Sequence, residues 1–102
     1  MAFVTVAKTG ELAPGAMKVV MLGRREVVVA NVGGTFVAFD NECTHSAGPL
    51  GEGELVGEVV ICRWHESGFN VRTGAHVSGP ATDAIRVYAL RVEGDAILIA
   101  DA

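Results

Sequence analysis

Two short segments carry the residues of this chain that are best suited to binding a metal: Cys43-Thr44-His45 and Cys62-Arg63-Trp64-His65. They contain both cysteines and two of the three histidines, and sixteen residues separate His45 from Cys62. Thiolate and imidazole are ligands that hold iron–sulfur clusters and zinc in proteins. Two loops that each offer one sulfur and one nitrogen can close on a single site if the chain between them folds back as a hairpin.

The bulk composition favours one small all-β domain. The chain has 102 residues, of which 50% are hydrophobic and 20% charged, with 13 scattered glycines. Valine-rich runs suit half-buried strands, and glycine supplies the turns between them. The net charge of −4 argues against a sequence-independent nucleic-acid binder.

The chain shows no segment that we interpret as a targeting or membrane signal. Met1–Gly10 does not resemble a signal peptide, and runs such as Val27–Val32 and Val59–Cys62 are too short to span a bilayer. We therefore expect a cytoplasmic protein with no membrane partner. A disulfide between Cys43 and Cys62 is the simplest alternative to a metal site, but a reducing cytosol disfavours it.

Short apolar segments bounded by turn signals predict eight to ten strands and little helix. Residues 41–53 and Trp64–Gly68 are predicted loops, so each Cys/His pair lies in a loop on a β scaffold. The predicted strands are Phe3–Ala7, Met17–Leu22, Glu26–Val32, Thr35–Asp40, Leu55–Cys62, Phe69–Val71, Ala75–Val77, Ile85–Val92 and Ala96–Ala100.

Cys-x-His followed after sixteen residues by Cys-x-x-His resembles the signature of the Rieske proteins. In that family two cysteines bind one iron of a 2Fe–2S cluster and two histidines bind the other. The neighbouring residues agree with this resemblance, which extends over essentially the whole chain: Gly48-Pro49-Leu50, Gly68-Phe69, Thr73-Gly74, Gly79-Pro80-Ala81, Tyr88 and Glu93-Gly94-Asp95.

The resemblance implies a Rieske fold, in which an antiparallel β-sandwich or barrel base carries a small cluster-binding subdomain of two loops. It implies one domain over residues 1–102, with the cluster-binding part at about 41–69 and the base at 1–40 and 70–102. It also implies one 2Fe–2S cluster per chain, held by Cys43, His45, Cys62 and His65.

Within the family, the chain most resembles the stand-alone ferredoxins of ring-hydroxylating dioxygenases. Respiratory Rieske proteins add a membrane anchor and a disulfide, whose cysteine positions correspond here to Gly48 and Trp64. Terminal oxygenases add a large catalytic domain, for which 102 residues leave no room. The resemblance therefore implies an electron carrier, without catalytic activity of its own, between a flavoprotein reductase and a terminal aromatic-ring dioxygenase. A monomer is the default expectation.

Several positions depart from the usual ferredoxin pattern. Arg63 stands where proline is common, Glu66 where glycine is common, and Asn70 where aspartate is frequent. Thr44 and Ser67 resemble respiratory-type loops, in which a serine at the Ser67 position donates a hydrogen bond to a cluster sulfur.

We expect a reduction potential near the low end of the Rieske range of roughly −150 to +300 mV. Phe69 lacks the hydroxyl that a tyrosine would donate to a ligand sulfur, and Glu42 and Glu66 add negative charge near the site. Ser67 and Arg63 act in the opposite direction.

Electrons are expected to leave through the histidine edge, because imidazole rings at a loop tip can reach solvent. The residues flanking the histidines are then candidates for a docking face: Ser46, Arg63, Trp64 and Glu66. Trp64 could equally pack over the loop base. His76 is interpreted as a surface residue of a strand or turn.

Two alternatives remain open from the sequence. Two Cys and two His also suit a structural zinc site, although Cys-x-His fits zinc knuckles poorly. Such a site would define a metal-stabilised interaction module. The chain could also be a Rieske small subunit of a larger redox enzyme, similar to that of nitrite reductase.

Overall fold

The computed structural model describes residues 2–44, 48–64, 66–79 and 83–101. The described part folds into β-strands joined by tight turns, with one-turn 3₁₀ helices at Thr9–Glu11 and Leu50–Glu52. The strands are β1 (Ala2–Lys8), β2 (Met17–Leu22), β3 (Arg25–Val32), β4 (Thr35–Asp40), β5 (Glu54–Val56), β6 (Val59–Ile61), β7 (Gly68–Asn70), β8 (His76–Ser78), β9 (Val87–Tyr88), β10 (Leu90–Glu93) and β11 (Ala96–Asp101).

These strands form three antiparallel sheets, so the all-β expectation is confirmed. The sheet orders are β1-β11-β10, β2-β3-β4-β9 and β5-β6-β7-β8. The first two sheets pack on each other and make the base. The third is a short sheet whose strands flank the second cysteine loop. Within the described ranges, no helix is long and apolar enough to cross a membrane.

Strand β3 separates two hydrophobic cores. Val27 and Val29 pack into the core of the base with Ile97 and Ile99, while Val28 faces the core that contains both cysteines. Val27, Val28 and Val29 are fully buried. A strand buried on both faces needs a continuous apolar run instead of an alternating one, which explains the sequence Val27–Val32.

Two of the predicted strands are wrong, because each is divided into two strands in the structure. The run Leu55–Cys62 is a hairpin, because Gly57 adopts φ +61° and turns the chain so that Val56 pairs with Val59. The run Ile85–Val92 is divided between two sheets: β9 pairs with β4, and β10 pairs with β11. These two breaks raise the strand count in the described part above the predicted eight to ten.

Tyr88 ties β9 to the end of β4, immediately before the first cysteine loop. Its hydroxyl donates a hydrogen bond to the Asp40 carboxylate. The guanidinium groups of Arg25 and Arg86 lie 5.4 and 4.9 Å from the ring centroid. Burial, followed by the hydrogen bond to Asp40, raises the pKa of Tyr88 to about 12.

Tyr88→Phe removes this hydrogen bond and should lower the free energy of unfolding by about 1 kcal/mol at neutral pH. The corresponding fall in melting temperature is roughly 4–8 °C for a domain of this size. Because the folded-state pKa is raised, the stabilisation is complete below the unfolded pKa of about 10 and is lost as pH rises towards 12. The difference in free energy of unfolding between wild type and Tyr88→Phe should therefore become smaller as pH rises from about 10 to about 12.

Tyr88 is the one tyrosine of the sequence, so phenolate absorbance reports this group alone. A titration midpoint near the ordinary tyrosine value, in protein that retains its native circular dichroism, would contradict the buried hydrogen bond.

Candidate metal centre

The first cysteine loop is closed at its base by Asn41, a buried polar residue that directly follows β4. Its carbonyl accepts from the Leu50 N–H (2.7 Å), and its side-chain oxygen accepts from the Gly51 N–H (2.7 Å). Its side-chain amide also donates to the Glu26 carboxylate (3.2 Å). Both ends of the loop are thus fixed to one residue and to β3. Asn41 was not among the predicted site residues, although asparagine at a strand end is a known turn signal.

The part of this loop that contains Cys43 closes on itself and on the rest of the chain. The Cys43 N–H donates to the Gly48 carbonyl (2.9 Å), and Glu42 forms an antiparallel bridge with Pro49. The Thr44 hydroxyl donates to the Asp83 carbonyl (2.7 Å), which attaches the loop to the segment preceding β9. Cys43 itself is 1% exposed.

The second loop repeats this closure. The Cys62 N–H donates to the Ser67 carbonyl (2.8 Å), again five residues further along the chain, and the Glu66 N–H donates back to the Cys62 carbonyl (2.8 Å). Cys62 and Ser67 are fully buried. Glu66 adopts φ +60°, a conformation that glycine adopts more readily than other residues.

Gly48 shows that the two loops meet. A Cβ atom placed on Gly48 would lie 3.0 Å from Cys62 Sγ and 3.0 Å from Trp64 Cδ2. Since the Gly48 carbonyl also accepts from Cys43, one residue contacts both cysteines. Both thiols belong to one hydrophobic core, with Leu50 and Phe69. Positions 48 and 64 therefore lie side by side, as the comparison with the respiratory disulfide predicts.

The two predicted histidine ligands, His45 and His65, lie outside the described residues, as does Ser46. In the sequence, His45 falls between Cys43 and Gly48, and His65 falls between Cys62 and Ser67. They therefore belong to the two segments that the cysteine amides close. Cluster binding by the four residues together stays a prediction.

The surface beside Cys62 is an open cleft of about 610 Å³ with a mostly acidic rim. Trp64 is 56% exposed, so it only partly covers the loop base. Glu52, Glu54 and Glu66 supply carboxylates at the rim, and Arg63 supplies a cation. Arg63 lies 3.7 Å from Glu52 in an exposed pair, an arrangement that contributes little to stability.

The arrangement suits a metal cluster. The two cysteines are buried in one core, a Cβ atom on Gly48 would press on Cys62 Sγ, and each cysteine sits in a loop with a nearby histidine in the sequence. Fold and site together define a small all-β domain with two cysteine loops that suit a metal cluster.

Comparison with known proteins identifies that class more closely. Residues 2–89 match the family model described as the Rieske [2Fe-2S] domain. The chain is 38% identical to the ferredoxin component of biphenyl 2,3-dioxygenase from Rhodococcus jostii, over 97% of this chain and 92% of that protein. It is 36% identical to the ferredoxin component of an alkene monooxygenase system from Xanthobacter autotrophicus, over 95% and 80%.

Solved structures of ferredoxins are similar to this chain as well. The ferredoxin of carbazole 1,9a-dioxygenase from Nocardioides aromaticivorans superposes with a TM-score of 0.94 at 32% identity, over 100% of both chains. A chain in the complex of reduced oxygenase and oxidised ferredoxin of carbazole 1,9a-dioxygenase gives 0.92 at 32% identity, over 97% of this chain and 93% of that one. The terminal oxygenase from the same Nocardioides strain shares only the fold, at 21% identity over 29% of its length.

This chain belongs to the Rieske [2Fe-2S] family. The family places one 2Fe–2S cluster on the chain, and the relatives named above are ferredoxin components of multicomponent oxygenase systems. Such components carry electrons and do not catalyse hydroxylation alone.

Gly48→Ala should disturb the site, because the new methyl group would press on Cys62 Sγ and on Trp64. Trp64 is exposed enough to move, but Cys62 is fully buried. We expect a loss of roughly 1–3 kcal/mol of stability from overpacking, together with less iron and acid-labile sulfide per chain.

Gly10→Ala is the matched control, since nothing lies within 4 Å of its added Cβ. It should retain wild-type iron content and melting temperature. If Gly48→Ala protein were as fully loaded and as stable as Gly10→Ala protein, the close approach of the two loops would be refuted.

Proposed function

We propose that this chain carries single electrons from a flavoprotein reductase to a terminal aromatic-ring dioxygenase, on a Rieske 2Fe–2S cluster held by Cys43, His45, Cys62 and His65. The observation that carries the proposal is the contact of Gly48 with both cysteines, which brings the two ligand loops to one point. When bound, the cluster supplies reversible one-electron chemistry, in a range of roughly −150 to +300 mV.

The residues around the thiols hold the ligand atoms in place and exclude water. Backbone hydrogen bonds close both loops, so that the cysteine sulfurs stay fixed when the charge of the site changes. Leu50, Val60 and Phe69 are fully buried around the cysteines. Phe69 offers no hydroxyl, which supports our proposal of a potential near the low end of the range, while the buried Ser67 hydroxyl acts against it.

The names of the relatives support the proposed partners. Ferredoxin components of biphenyl and naphthalene dioxygenase systems are 38% and 33% identical to this chain. The similar carbazole ferredoxin chain was solved in complex with an oxygenase. We include in the proposal a reductase partner, a monomeric state, a cytoplasmic location, and one domain with a cluster-binding part at about 41–69 and a base at 1–40 and 70–102.

We propose that the rim of the cleft beside Cys62 forms part of the docking face, with Arg63, Trp64 and Glu66 among its residues and Ser46 as a further candidate. Trp64 offers exposed apolar area on this rim. Three carboxylates outnumber one cation there: Glu52, Glu54 and Glu66 against Arg63. This charge balance favours a partner with a basic face, because complementary charge raises the association rate.

Transfer from the pre-reduced chain to an oxidised terminal oxygenase of a biphenyl dioxygenase system, followed by stopped-flow absorbance, tests the function and the docking face together. We expect the wild-type chain to be oxidised by the oxygenase. Arg63→Glu should raise the second-order rate constant by roughly two- to fivefold at low ionic strength, because it makes the rim more acidic. The difference should disappear at high salt.

Arg91→Glu is the matched control. Arg91 is similarly exposed, and Arg91→Glu changes the net charge by the same amount as Arg63→Glu. The ion pair of Arg91 is with Glu93 on β10, outside the rim. It should leave the rate nearly unchanged. A slower Arg63→Glu protein would contradict a basic partner face, and loss of iron from that variant would contradict a docking role. Failure of the oxygenase to oxidise the wild-type chain would contradict the proposed function.

A further inference from the structure

His76 is the first residue of β8, and it contacts both β7 and the residue that follows β8. It is half-buried and pairs across the sheet with Phe69, which is fully buried in the core that contains the cysteines. The two rings make an edge contact, with centroids 6.1 Å apart and an interplanar angle of 70°. The expectation of a plain surface residue is therefore incomplete.

The polar edge of the same ring contacts the backbone of the next turn. His76 Nε2 lies 3.1 Å from the carbonyl oxygen of Gly79. A carbonyl oxygen can only accept, so Nε2 carries the hydrogen and donates it. His76 thus joins Phe69 on one side to Gly79 on the other.

Gly79 packs directly on the second cysteine loop. It adopts φ +84°, and a Cβ atom placed on it would lie 2.6 Å from Ser67 Cα and 2.8 Å from the Glu66 carbonyl oxygen. The Ser67 carbonyl is the acceptor for the Cys62 N–H, so Gly79 covers the part of the loop that holds this cysteine. The neighbouring residues Gly68 and Ser78 also lie close together, since a Cβ atom on Gly68 would lie 2.8 Å from Ser78 Oγ.

We propose that His76 is a positioning residue that clamps Gly79 against the Glu66-Ser67 backbone, and so controls how much water reaches the cluster. The inference rests on the proposed function for its redox readout. Reduction adds one negative charge to the site, and hydration stabilises that charge. Loss of the clamp admits water at the second cysteine loop and raises the reduction potential.

Three variants separate the hydrogen bond from the ring contact. His76→Gln keeps an N–H donor at a similar reach but loses the ring, His76→Phe keeps the ring but loses the donor, and His76→Ala loses both. Val77→Ala is the control, because Val77 is the neighbouring residue and is 53% exposed. The holoprotein of each variant is used.

Two readouts are measured: the midpoint potential by voltammetry, and hydrogen–deuterium exchange of peptides spanning residues 60–70. We expect higher potentials and faster exchange for His76→Phe and His76→Ala than for wild type, with His76→Gln and Val77→Ala close to wild type. Rescue by glutamine separates positioning from a general loss of fold, which would affect the glutamine variant as well.

Unchanged or lower potentials in His76→Phe and His76→Ala would overturn the inference, as would unchanged exchange at residues 60–70. These outcomes are distinct from failure of the proposed function. If the wild-type chain takes up no electron, the proposed function fails by itself, while the exchange measurement still decides whether the clamp exists.

Discussion

The structure depends on one constraint: two loops from different parts of the chain must bring their cysteines into one buried core. Each loop is closed by a hydrogen bond from the cysteine N–H to a carbonyl five residues later, at Gly48 and at Ser67. Gly48 then lies against Cys62 Sγ, so a side chain at this position would push the loops apart. The site is assembled mainly by backbone groups, which leaves the exposed side chains of the loops free to vary with the partner.

The base of the fold holds those two loops in fixed positions relative to each other. β3 is buried on both faces and separates the core of the base from the core that holds the cysteines. Asn41 fixes both ends of the first loop next to this strand, and the Tyr88–Asp40 hydrogen bond ties β9 to the point where the loop begins. The second loop receives equivalent support from Gly79, which His76 holds in place. A displacement of Asn41 or Gly79 would therefore displace the cysteine loop that it contacts, because only a few covalent and hydrogen bonds separate it from the cysteine.

Sequence reasoning predicted the all-β class, most strands and the two cysteine loops, because these depend on local apolar runs, turn residues and ligand spacing. It failed where the outcome depends on distant partners. Leu55–Cys62 is a local exception: it was predicted as one strand, although Gly57-Glu58 interrupts its apolar residues and the positive φ of Gly57 makes it a hairpin. Asn41 and His76 were missed as supports because their partners, Glu26 and Gly79 among them, become visible only in the folded chain. The pairing of Gly48 with position 64 was expected from family resemblance alone.

Electron paramagnetic resonance of the dithionite-reduced protein, combined with iron, zinc and acid-labile sulfide analysis, distinguishes a Rieske cluster from the other metal sites that these residues could form. We expect about two irons and two sulfides per chain. We also expect the signal of a 2Fe–2S cluster with mixed cysteine and histidine ligands, which differs in its g values from that of an all-cysteine cluster. Replacing Cys62 by serine should abolish that signal. A colourless, zinc-containing protein with no signal after reduction would refute a Rieske cluster on this chain, and so would the signal of an all-cysteine cluster.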